Sequence, residues 1–245
     1  MISESIKTMV ANATVSLLRQ GGQGVLVKNS LIVTAAHCID YKCDGSMVLE
    51  DFFIEEIKTL QGKKLKVTPW AVEPVKDIAI LGSLDGQSFY DEANEFEEFC
   101  EKTKPVSLCF DSLKSSHKFP IYIYTHKKTW IKGEAARYGP NKESPSIGIQ
   151  ANEQIEGGTS GSPIINEQGQ LVAIVSNSKV GIPYDGSAPR PHLALPAWAS
   201  RSIRRGHVLY DELTPEEKEL GRSIRERFEE RKQRVHKEGS KRRRN

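Results

Sequence analysis

No stretch of this 245-residue chain approaches 18 consecutive apolar residues, so nothing in it is expected to span a membrane. The first residues, Met1 to Lys7, carry Glu4 and lack a long apolar core. They do not read as a secretory leader, and the expected compartment is the cytoplasm. Cysteine is scarce as well: Cys38, Cys43, Cys100 and Cys109 make no disulfide framework, as suits a reducing compartment. Cys38 and Cys43 lack the second close pair that a structural zinc site needs, so no metal and no other cofactor is expected. Long helical periodicities are few. The apolar residues, 38% of the chain, fall in short runs that favour strands and suffice for one or two cores.

Against these absences stands one unusual stretch, Glu156-Gly157-Gly158-Thr159-Ser160-Gly161-Ser162-Pro163, followed by Ile164-Ile165 and the turn Asn166 to Gly169. A serine between glycines on a tight bend presents its hydroxyl and leaves nearby amides for a developing negative charge. A plain Gly/Ser loop between strands is the alternative. A serine needs a base within hydrogen-bond reach and a group that orients the base. Leu31 to Ala36 is an apolar run ending in small residues before His37, and Val75 to Leu81 sets Asp77 among apolar neighbours. Either could be structural by itself, His37 as an ordinary buried histidine and Asp77 as a turn cap. The three contexts together, in the order His, Asp, Ser, point to nucleophilic catalysis.

Thr34-Ala35-Ala36-His37-Cys38, Asp77 to Leu81 and Gly158 to Pro163 resemble the histidine, aspartate and nucleophile motifs of chymotrypsin-fold (trypsin-like) serine peptidases, in the family's chain order. Leu193-Ala194-Leu195-Pro196 is similar to a run that closes the second barrel in the HtrA-like and glutamyl-endopeptidase-like branches. The resemblance covers roughly residues 12 to 200. It implies an all-β fold of two six-stranded antiparallel barrels, a catalytic triad of His37, Asp77 and Ser160, and an oxyanion hole from the amides of Gly158 and Ser160. In secreted members the cysteine after the histidine is bridged to an earlier one; that position is Gly22 here, so the bridge cannot form. Thr159 replaces the aspartate that precedes the nucleophile in the digestive members, and no Ile-Val-Gly-Gly start exists. No trypsin-like zymogen cleavage is therefore expected.

Taken in order, residues 1–84 read as the first barrel, with strands over Ala13–Leu18, Gly24–Val27, the run before His37, Phe52–Ile57, Lys63–Val67 and the run after Asp77. Residues 85–104 read as an acidic helical linker, with Ala93, Phe96 and Cys100 at helical spacing and Phe89 one turn earlier. Its carboxylates either face water or line an exosite for basic substrates. Residues 105–200 read as the second barrel, with strands at Val106–Phe110, Ile121–Tyr124, Trp130–Ala135, Ser146–Gln150, Leu171–Val175 and, last, Leu193–Pro196. By the resemblance, Ser176, Asn177 and Ser178 run beside the substrate and wall the specificity pocket, whose base lies at Gln154 beside Ile155. Val175 stands where glutamyl endopeptidases carry a histidine, for which His192 is a partial substitute. With no acidic residue at its base, the pocket is expected to take neutral side chains, and the Lys179–Pro191 loop to cover it.

Residues 201–245 change character, with 15 Lys and Arg against 9 Asp and Glu, a net of +6 that leaves the first 200 residues at −3 of the chain's +3. Thr214-Pro215-Glu216-Glu217 reads as a helix start. Leu213, Leu220, Ile224, Phe228 and Val235 then form one apolar stripe on a charged helix. This stripe either docks on the second barrel or takes a coiled-coil partner, including a second copy through 213–235. The Lys241–Arg244 tail reads as solvated, and neither nucleic acid nor membrane is expected as a partner. Two functions follow: a serine endopeptidase acting on protein or peptide substrates, or a catalytically silent peptidase-fold module that recruits a partner through its C-terminal helix.

Overall fold

The computed structural model describes residues 2–39, 53–110, 118–137, 144–176 and 186–205. The expected helix at 213–235, the basic tail, Cys43, Asn177 and Ser178 lie outside the described residues. The chain opens with a helix absent from the sequence reading, α1 (Glu4–Ala13). Ser3 is extended and its hydroxyl accepts the Ile6 N–H at 3.3 Å, while Glu4 lies in the positive first turn. The helix buries Val10 and Ala13, and Ile6 packs on Gly169. Thr14 ends it, turning extended as its hydroxyl donates to the Val10 carbonyl at 2.7 Å.

Six strands follow: β1 (Thr14–Leu17), β2 (Gln23–Val27), β3 (Leu31–Thr34), β4 (Glu55–Lys58), β5 (Lys64–Glu73) and β6 (Ile78–Gly82). They close into a barrel in the order β1-β2-β3-β6-β5-β4, every pair antiparallel. Asn29 and Ser30 both take positive φ (67° and 53°) between β2 and β3, as a tight hairpin with the strands' own twist requires. β5 runs six residues past the expected Lys63–Val67 strand because its register slips between Pro69 and Ala71. Pro69 has no N–H for the ladder, so the chain bulges there and continues. Antiparallel pairing of β3 with β6, Thr34 opposite Ala79, sets the end of β3 beside the start of β6. His37 and Asp77 flank that junction, which is why residues 40 apart in sequence come together.

α2 (Tyr90–Lys102) links the barrels and buries Ala93, Phe96 and Phe99, with Cys100 only half-buried. Its acidic face is paired to lysines: Glu92 with Lys66 at 3.1 Å, Glu98 with Lys102 at 2.5 Å and Lys63 at 3.5 Å. These exposed pairs contribute little to stability; the Phe96 side chain, wholly removed from water, contributes far more.

The second barrel consists of β7 (Phe119–Tyr124), β8 (Trp130–Arg137), β9 (Ser146–Ala151), β10 (Pro163–Ile165), β11 (Leu171–Ile174) and β12 (Gly186–Pro189). They lie in the order β11-β10-β7-β8-β9-β12, and the two end strands come into contact, so the barrel is nearly closed. Ile121, Ile123, Ile131, Ile147, Ile149, Ile164 and Val172 fill it. Two expected strands are corrected. Val106–Phe110 is buried at Val106, Leu108 and Cys109, but among the described residues its strand pairing is one isolated parallel bridge, Leu108 to Leu171. Leu193–Pro196 is not a strand; the last strand among the described residues is β12, paired with β9 from Gly186–Ile149 to Pro189–Ser146. Pro191 instead starts a single helical turn, α3 (Pro191–Ala194), its fixed φ suiting a first helical position. Leu195 is then extended, as a residue before proline must be. α4 (Ala197–Arg205) follows, burying Ala199 and Ile203 and running through the composition change at residue 200. The Asn29 amide donates to the Ser202 carbonyl, tying α4 to the first barrel.

Candidate active site

His37 lies in a 3-10 turn, Ala36–Cys38, directly after β3. Asp77 accepts three hydrogen bonds: the His37 backbone N–H at 3.0 Å, the His37 Nδ1–H at 2.8 Å from Oδ2, and the Ser176 hydroxyl. The carboxylate thereby fixes the ring's orientation and tautomer and leaves Nε2 as the basic nitrogen. Asp77 itself takes φ 53°, a left-handed conformation held by its N–H bonding Pro74 O at 3.1 Å. Such a backbone at a side chain with three partners marks a place where geometry outranks local preference.

The electrostatics follow from the pairing. Hydrogen bonding to Asp77 pushes the His37 pKa up, to about 10, aided by Cys38 and by the Asp77 charge and opposed by burial. Burial alone would raise the Asp77 carboxyl, but the bonds from the His37 ring, Ser176 and the His37 amide outweigh it and hold it below the ordinary value of 3.8.

Ser160 is held between the barrels. Its carbonyl accepts the Gln23 N–H of β2 at 2.8 Å, and the next amide, Gly161 N–H, donates to Val175 O at 2.7 Å. A Cβ on Gly161 would lie 1.9 Å from the Gln23 carbonyl oxygen, so only glycine permits this approach. Gly22 likewise fits between Cys38 Sγ and the Ser160 carbonyl, at 2.5 and 3.0 Å from the Cβ it lacks. The Ser160 bend thus sits against the turn that bears His37. No hydrogen bond joins the His37 ring to the Ser160 hydroxyl among the described residues. Gly158 takes φ 88°, and among the described residues the Gly158 and Ser160 amides have no hydrogen-bond partner.

The remaining expected site residues are less concentrated. Gln154 is exposed, and Ile155 is half-buried against the second core. His192, on α3, meets Phe110 edge-on at 5.4 Å and the Arg190 guanidinium at 3.2 Å. Ser176 gives its hydroxyl to Asp77, a link that joins the two barrels through the carboxylate and that its expected place in the pocket wall did not suggest. Gln23 and His126 were also missed. Gln23 is buried and accepts the Ser162 hydroxyl, and His126 bonds Thr159 at 2.9 Å. Among the described residues, no group of three His, Cys, Asp or Glu is placed to hold a metal ion, and no helix is long and apolar enough to cross a membrane.

Residues 22–174 match the trypsin-like peptidase domain family, from the turn before β2 through the end of β11. The chain belongs to that family. This trypsin-like serine peptidase, a hydrolase, matches no curated protein in sequence. Its fold is shared with solved structures of low identity. The Rv3671c protease in an inactive form is 15% identical with a TM-score of 0.51, the match covering 81% of this peptidase and 92% of that chain. An inactive serine-to-alanine mutant of Rv3671c from M. tuberculosis H37Rv is 14% identical with a TM-score of 0.54, covering 85% and 94%. A serine endoprotease from Yersinia pestis is 16% identical with a TM-score of 0.56, covering 84% and 68%.

Proposed function

We propose that the peptidase is an endopeptidase of selected protein substrates, with Ser160 as nucleophile, His37 as general base and then acid, and Asp77 as the orienting carboxylate. The observation that carries this reading is the His37–Asp77 pair, in which the carboxylate accepts a hydrogen bond from Nδ1–H and leaves Nε2 free for the serine. Contacts of the Ser160 bend with Gly22 and Gln23 support an approach of hydroxyl to imidazole as substrate binds, since catalytic hydrogen bonds are often long in unliganded enzymes.

In the reaction, the Ser160 oxygen attacks the peptide carbonyl carbon while His37 Nε2 takes its proton. The carbonyl oxygen becomes an oxyanion, to which the unpartnered amides of Gly158 and Ser160 donate. His37 then protonates the leaving amine, the C–N bond breaks, and an acyl ester on Ser160 remains. Water, deprotonated by His37, attacks that ester; as the ester C–O bond breaks, His37 returns the proton to the Ser160 oxygen and the acid leaves. Each oxyanion donor is worth about 100- to 1,000-fold in rate.

By the family resemblance, Gln154 and Ile155 form the floor of the substrate pocket and favour neutral side chains. Thr159 carries no charge to pair with a freed amino terminus, so the intact chain is competent without nicking. Digestion of a proteome-derived peptide library tests the function: wild type cleaves after neutral residues and Ser160→Ala does not. Cleavage retained in Ser160→Ala removes Ser160 as nucleophile; no cleavage by either favours a binding module that recruits a partner through 213–235.

A further inference from the structure

The turn joining β7 to β8 reaches the Ser160 loop at two points. It is a tight bend in which Thr125 N–H and Lys128 N–H donate at 2.9 Å to Thr129 O and Thr125 O, and the Thr125 and Thr129 hydroxyls bond at 2.7 Å. From it project His126 and Lys127. His126 Nδ1 bonds Thr159 Oγ1 at 2.9 Å, and Thr159 is 1% exposed. The same ring lies against Gly158, with ring atoms 3.5 to 3.7 Å from the position of a Cβ there. Lys127 Nζ meets Glu156 Oε2 at 2.5 Å.

The loop these contacts hold is a turn closed by a long bond from Thr159 N–H to Glu156 O, 3.2 Å, and its glycines give it latitude to move. Glu156, Gly157 and Gly158 are exposed, a Cβ on Gly157 would meet nothing within 4 Å, and Gly158 sits at φ 88°. Two consecutive glycines leave the peptide between them free to rotate, and a rotated peptide aims the Gly158 N–H away from a substrate. The exposed Lys127–Glu156 pair is a weak restraint. The His126–Thr159 bond is different, because Thr159 is buried and a lost partner there leaves a polar group without water.

We propose that His126 is a positioning residue for the hydrolytic site: its bond to Thr159 and its ring against Gly158 hold the oxyanion-binding amides in their competent arrangement. This rests on the reading of Ser160 as nucleophile. The bond survives a change of protonation, since Nδ1 accepts from the Thr159 hydroxyl in one neutral tautomer and donates to it otherwise. The inference is therefore one of geometry.

Three variants test it. Thr159→Val removes the hydroxyl and keeps the shape, His126→Phe keeps a ring against Gly158, and His126→Asn restores a hydrogen-bonding group near Nδ1. For the first two, kcat is expected to fall on the order of tenfold with KM within about twofold, less than removal of an oxyanion donor itself costs. The double variant should be no worse than the poorer single one, and His126→Asn should recover most of the loss. Unchanged kcat, a rise in KM alone, or additive losses in variants that melt as wild type does would overturn the proposal. Should His126→Phe fail to fold, Thr159→Val decides. The amide NMR signals of Gly158 and Ser160 separate this inference from the reading beneath it. Broadened Gly158 and Ser160 signals in both Thr159→Val and His126→Phe support the clamp even if hydrolysis proves insensitive to Ser160→Ala, and linewidths unchanged in both refute it even if the enzyme is a peptidase.

Discussion

Replacing Asp77 by Asn probes the arrangement at its most constrained point. The carboxylate accepts from the His37 ring, the His37 backbone and the Ser176 hydroxyl, and an amide of the same shape can accept from only one side. With its NH2 toward Nδ1, the imidazole must carry its proton on Nε2, where it can take none from Ser160. In related triads this exchange lowers kcat on the order of 10⁴-fold, about 5.4 kcal/mol of transition-state stabilisation. The assay needs no knowledge of the substrate: the rate of covalent labelling by a fluorophosphonate reads nucleophile activation directly. The same variant has a stability signature whose sign follows from the pKa shifts. His37 titrates above its ordinary 6.5, so its contribution is full below 6.5 and lost as pH rises through about 10. Asp77 titrates below 3.8, so its contribution is present above 3.8 and lost as pH falls through the depressed value. The stability gap between wild type and Asp77→Asn, measured by urea unfolding, should therefore be widest between pH 3.8 and 6.5 and narrow on both sides. Labelling within tenfold of wild type, or a pH-independent gap, would refute the reasoning.

Other consequences are checked with the same tools. The alkaline rise of the wild-type labelling rate should have its midpoint above 6.5, because Asp77 raises the His37 pKa, and a midpoint at or below 6.5 would contradict that pairing. Gly161→Ala places a methyl group 1.9 Å from the Gln23 oxygen at φ 78°, and should abolish labelling or prevent folding; an active, stable variant would show that the loop lies elsewhere. Phe96→Ala should cost about 3–5 kcal/mol in unfolding free energy while the folded enzyme labels at the wild-type rate. A loss below about 1 kcal/mol would mean that α2 is not anchored where its fully buried ring suggests.

Strands were legible wherever a short apolar run met a glycine or a polar turn, as at β2, β3, β6 and β7, since those runs have no other way to bury both faces. Val106–Phe110 misleads because burial and pairing are separate demands: Leu108 and Cys109 are covered by neighbours, yet among the described residues the run pairs through one isolated bridge, Leu108 to Leu171. α1 carries a readable signal in Ser3 with Ile2, Ile6 and Val10 four residues apart, in a stretch short enough to resemble a failed leader. Leu193–Pro196 was read by likeness, although Pro191 and Pro196 in the residues themselves argue against a paired strand. For the proposed site, it is the flanking residues of His37, Asp77 and Ser160 that single them out in the sequence. Ser176 on Asp77, 99 residues away, and His126 on Thr159, 33 residues away, are not singled out in this way. Those contacts depend on where two barrel ends and a hairpin converge, and no local pattern encodes that.

The measurement that bears most directly on the central claim is the mass and peptide map of the intact protein after reaction with a fluorophosphonate. One adduct on Ser160, absent in Ser160→Ala and reduced at least a thousandfold in rate in His37→Ala, is the predicted result. An adduct on another residue, or labelling of Ser160 that proceeds equally well without His37, would contradict it.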